Sequence, residues 1–77
     1  SQLIVNLDTR DQPLDVTEFK TLLRQQVDEE GLGVTVHAQI HGACADIKLG
    51  MDWRVVPSDD LLASLRRLSA VKSVEMV

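Results

Sequence analysis

The chain has 77 residues, 44 % hydrophobic and 26 % charged, with a formal net charge of −4. That length sets one small domain with a single core and excludes a wide internal substrate cavity, because a chain this short buries only about 60–65 % of its unfolded surface. The acidic balance and the scatter of the eight basic residues exclude a phosphate-gripping face, and with Phe19 and Trp53 as the only aromatics there is no stacking platform for single strands.

Leu3 to Leu7 is apolar enough for a central strand. Asp8 to Asp15 is polar and contains Pro13, as a loop would. Asp15 stands three residues before Glu18, a capping-box spacing that starts a helix. Val16, Phe19, Leu22, Leu23 and Val27 then recur at helical period, and Gly31 is placed to close the helix in the left-handed C′ conformation.

Val34, Val36, Ala38 and Ile40 alternate with Thr35, His37, Gln39 and His41, the pattern of a half-buried strand. A tight turn at His41-Gly42-Ala43 leads into a second alternating run, in which Ala45, Ile47, Leu49, Met51, Trp53 and Val55 form the inward set. Two such runs across a short glycine turn predict a hairpin. Pro57 and Ser58 open a second helix, with Asp59 and Asp60 at its positive end and Arg66 and Arg67 at its negative end. Val71 to Val77 forms the last strand, with Val74 and Met76 turned inward.

The order strand, helix, strand, strand, helix, strand is the pattern of the α+β ferredoxin-like sandwich. The expectation is therefore a single domain over 1–77, with a four-stranded antiparallel sheet in the order 4-1-3-2 and two helices on one face. The second and fourth strands would then be edges, and an unpaired edge favours association. The chain reads as a domain of a longer cytoplasmic protein. No apolar run approaches the length that spans a membrane, so direct membrane insertion is not expected.

The chemistry-bearing residues form no complete catalytic set. His37 and His41 share a strand face but stand about 13 Å apart at ~3.3 Å per residue, too far to bind one metal ion. Cys44, the single cysteine, follows His41 and precedes Asp46, yet this trio lacks an oxyanion donor and a cleft. A small enzyme built on His41 and Cys44 is the least supported alternative. Arg10 stands without nearby glycine, so the phosphate cradle of acylphosphatase-type enzymes is missing. No metal or cofactor is expected. His37, Gln39, His41, Trp53 and Arg54 are the candidate interface residues, the last two because Trp and Arg are enriched at binding hot spots.

Arg10-Asp11-Gln12-Pro13-Leu14-Asp15-Val16 resembles the first-loop turn of ACT regulatory domains, and Leu65-x-x-Leu68-x-x-Val71-x-x-Val74-Glu75 resembles their helix-to-final-strand segment. That resemblance implies a regulatory domain that pairs as a homodimer, and an amino-acid ligand near Asp11, Gln12, Pro13 and Leu14. Leu14 occupies the place where the family carries a glycine that admits the ligand to the backbone. ACT-like domains that lack this glycine also occur at the cytoplasmic C-terminus of membrane proteins resembling the MgtC/SapB group. The expected function is a non-catalytic regulatory or interaction domain that self-associates or docks a partner, including another domain of its parent protein, through an edge strand or sheet face. An amino-acid sensor is the alternative.

Overall fold

A computed structural model describes all residues, Ser1–Val77. It contains β1 (Gln2–Asp8), α1 (Val16–Arg24), β2 (Val27–Ile40), β3 (Ala43–Lys48), a 3-10 turn (Met51–Trp53), α2 (Asp59–Arg67) and β4 (Val71–Met76). The chain is thus α+β, with four strands and two helices.

The sheet departs from the expected arrangement in order and direction. Its strands run β3-β2-β1-β4, with β1 parallel to β2 and the β1–β4 and β2–β3 pairs antiparallel. The sheet is mixed, and its edges are β3 and β4 instead of the second and fourth strands. Burial explains the choice. Val34, Thr35 and Val36 of β2 are all buried, whereas β3 offers small alanines, the charged Asp46 and Lys48, and a half-exposed Ile47. The more apolar hairpin strand takes the inner position beside β1, as a β-α-β crossover allows.

α1 begins as its sequence dictates. The Asp15 carboxylate accepts the Glu18 backbone N–H at 3.0 Å, which satisfies one of the free donors of the first turn. The helix then ends at Arg24, short of Val27, and Gly31 is not its cap. Val27 and Leu32 both bridge to Val55, so Asp28–Gly31 is looped out opposite a single residue. An Asx turn, Glu30 N–H to Asp28 Oδ1 at 2.8 Å, shapes that loop. The left-handed glycine is Gly42, at φ 76° in the β2–β3 turn.

β3 likewise stops early. It ends at Lys48, and the 3-10 turn lifts Met51 out to 75 % exposure, so the long inward alternation through Met51 does not form. Val55 returns to the core alone, fully buried. In β4, Val74 is partly buried and packs on the core, while Met76 is exposed.

The core lies between the helices and one face of the sheet. Leu3, Val5 and Leu7 of β1 meet Phe19 and Leu23 of α1 and Leu61, Leu62 and Leu65 of α2. Ser58 caps α2 by accepting the Leu61 N–H at 3.1 Å. No helix is long and apolar enough to cross a membrane.

Candidate functional site

The face of the sheet away from the helices is polar. Cross-strand register sets Asp46, His37, Asn6 and Ser73 in one row and Cys44, Gln39 and Asp8 in the next. Hydrogen bonds tie the face together: Asn6 Nδ2 donates to Ser73 Oγ in its own row at 2.9 Å and to Glu75 Oε1, opposite Ile4, at 3.2 Å. His37 Nδ1 pairs with the Asp46 carboxylate, and the Cys44 thiol donates to Gln39 Oε1 at 3.1 Å. No buried side-chain nitrogen or oxygen is left without a hydrogen-bond partner.

Beside it, Arg10 makes a two-pronged contact with Asp8, through Nε at 3.0 Å and Nη2 at 2.7 Å. These side-chain hydrogen bonds, with the Arg10 backbone N–H as a further donor, hold the Asp8 carboxyl at about 2, well below its ordinary 3.8. The same contact raises the Arg10 guanidinium further above its already high value.

The two members of the sequence-derived nucleophile pair are engaged elsewhere. His41 Nε2 lies 3.1 Å from the Arg10 carbonyl, and the exposed Cys44 thiol bonds to Gln39. Neither histidine joins a cluster of ligands able to hold a metal ion. The geometry provides no nucleophile, base and oxyanion donor around one point.

The candidate interface residues fall in separate places. His37 and Gln39 are on the polar face and His41 is in the hairpin turn, while Trp53 sits on the helix side at the far end of the sheet. Trp53 is partly buried against the core, and the Arg24 guanidinium lies 4.9 Å from its ring centroid, a cation–π contact. Arg54 is half-buried, and its carbonyl accepts the Asp28 N–H at 2.9 Å.

Gln12, Pro13 and Leu14 do line a common groove of about 460 Å³, between the first loop and the C-terminal end of α2, where Ser64 and Arg67 form the opposite wall. Asp11 is exposed and does not line that groove.

A second groove was not anticipated. α1 and α2 lie over β1, β2 and β4, leaving the helix-side face of β3 uncovered. The result is an apolar groove of about 380 Å³, walled by Val16, Phe19 and Lys20 of α1 and by Ile47, Leu49 and Trp53. Val16 and Ile47 are about half exposed, at 52 % and 50 %. The groove runs directly into the open edge of β3. Its signal in the sequence is the run Ala43-Cys44-Ala45-Asp46, too small and polar for an inner strand, which leaves Ile47 at the margin.

Residues 18–69 match the family model described as DNA polymerase III subunit alpha, C-terminal domain. The matched segment runs from the first turns of α1 through α2 and covers more than half of the chain, so this protein belongs to that family. Comparison with curated proteins and with solved structures returned no match.

Proposed function

We propose that this chain is a non-catalytic, protein-interaction domain of a DNA polymerase III alpha subunit, operating in the cytoplasm and docking protein through the β3 edge and the apolar groove beside it. The observation that carries this reading is the continuity of the two features. An unpaired strand edge offers backbone donors and acceptors, and adjacent pockets for alternate side chains supply specificity, which is the arrangement β-strand addition uses. The opposite edge, β4, has its helix-side face packed by α2 and offers no such groove.

The net charge of −4 supports protein over DNA as the direct contact. Within a polymerase, such a domain contributes placement and assembly and leaves synthesis to the rest of the subunit.

A photo-crosslinking side chain at Ile47 tests the reading in the whole polymerase subunit under native conditions. Crosslinks to protein from position 47, and none from position 73 on the polar face, are expected. Crosslinks to DNA from position 47, or none to any chain, would overturn it.

A second reading draws on the groove of Gln12, Pro13 and Leu14, whose Arg67 wall suits a carboxylate. It supports an amino-acid sensor of the ACT kind. Calorimetry against a panel of amino acids separates the two: heat abolished by Arg67→Ala favours the sensor, and no heat at millimolar ligand removes it.

A further inference from the structure

The β3 edge is self-complementary. In the β2–β3 pair, Leu49 N–H donates to the Val34 carbonyl at 2.9 Å. Hydrogen-bonding groups alternate direction along an antiparallel strand. Ala45 and Ile47 therefore aim their backbone groups at β2, and Cys44, Asp46 and Lys48 aim theirs outward from the sheet. A second antiparallel strand can bond only to those outward groups.

We propose that the occupant of this edge is a second copy of the same chain, paired β3 to β3 about a two-fold axis through Ile47, an inference that rests on β3 being the docking edge. Centring on Ile47 sets Asp46 opposite Lys48 of the partner subunit and Lys48 opposite Asp46 of the partner subunit. Both are hydrogen-bonded pairs, as the outward backbone groups require. The neighbouring registers fail on charge. Centring on Asp46 places two carboxylates face to face, centring on Lys48 places two ammonium groups together, and centring on Ala45 pairs Asp46 with Cys44. Opposite charges directly across strands stabilise, and like charges destabilise.

The side chains agree with the backbone. Ile47 meets its own copy in a non-hydrogen-bonded pair, the closer of the two antiparallel spacings at about 4.5 Å between Cα atoms. Its half-exposed surface and the margin of the apolar groove are then covered from both sides. Lys48 makes no ion pair within its own chain, whereas pairing supplies one. Two four-stranded sheets become one of eight strands, with all four helices on the same side. A joint this narrow buries less than a standard interface, so association is expected to be weak, in roughly the micromolar to millimolar range.

Charge exchange between two variants tests the register. Light scattering after size exclusion, on the 77-residue chain under reducing conditions, should show the mass rising from that of the monomer towards twice that value with concentration. Lys48→Asp and Asp46→Lys each place like charges opposite one another, so each alone should dimerise at least tenfold more weakly. Mixed one to one, the two variants present Asp against Lys at every charged position and should recover the dimer, with far-UV spectra confirming that both are folded. A wild-type mass that stays monomeric to millimolar concentration, or a mixture no more dimeric than its components, would overturn self-pairing. The docking reading is judged apart from this, since crosslinks from position 47 to a different protein would uphold it while self-pairing fell.

Discussion

Gly31 lies against the backbone of Val55 so closely that a Cβ on it would stand 2.5 Å from the Val55 carbonyl oxygen. The contact locks the looped-out segment Asp28–Gly31 to the return of the chain into the core. It is supported by the Asp28 N–H to Arg54 carbonyl bond at 2.9 Å and the Val56 N–H to Gln26 carbonyl bond at 2.8 Å. These bonds hold the end of the 3-10 turn, and thereby Trp53, beside α1.

Gly31→Ala should therefore destabilise the fold by about 1–3 kcal/mol, the usual penalty for forcing atoms into a packed site. Gly33→Ala, whose Cβ would meet nothing within 4 Å, is the control and should change stability by less than about 1 kcal/mol. Urea unfolding of the two variants checks the pair.

Leu65 is fully buried at the centre of the core. Leu65→Ala should cost about 2–5 kcal/mol, from lost transfer energy and the cavity left behind. Met51, 75 % exposed on the 3-10 turn, should tolerate alanine within about 0.5 kcal/mol. A Met51 variant as damaging as Leu65→Ala would show that β3 continues inward past Lys48.

Removing the Arg10 side chain should free Asp8. Its carboxyl, held at about 2, should return towards 3.8 in Arg10→Ala. The Asp8 pKa is depressed in the folded chain, so its contribution to stability is present above pH 3.8 and is lost as the pH falls through 2. The variant should show a smaller fall in stability across that interval. A carbon-detected titration of Asp8 reads the shift directly, and an unchanged value would contradict the two-pronged contact.

Arg24→Ala should remove the guanidinium from the Trp53 ring, costing about 0.5–1 kcal/mol for a cation–π contact at a surface site. The indole fluorescence should shift to the red as its environment becomes wetter. No spectral change would mean that Arg24 does not cover the ring.

Local signals in the sequence located most elements. Asp15 and Ser58 announced both helix starts through side chains that can accept a backbone N–H, and the glycine turn at Gly42 joined two alternating runs. What the sequence did not carry was the sheet order. Hydrophobic period reports which residues face the core, but the neighbour of a strand depends on which of β2 and β3 buries more, and that follows from packing. Gly31 misled for a related reason: a glycine after a helix usually supplies a left-handed turn, and here it serves a close approach to Val55 that only the folded chain creates. The apolar groove stayed hidden because Ile47 alternates as a core residue would, and its exposure arises only once β3 lies outside the cover of α1. The polar face, by contrast, was legible from alternation alone.

The most direct measurement of the docking edge is amide hydrogen exchange, residue by residue, on the chain when dilute and when its edge is occupied. The amides of Asp46 and Lys48 point outward and should exchange quickly in the dilute chain, then become protected on occupation. Those of Val74 and Met76, outward on β4 by the same alternation, should stay fast. Protection that appears on β4, or Asp46 and Lys48 amides that remain unprotected throughout, would contradict the β3 edge as the surface through which this domain works.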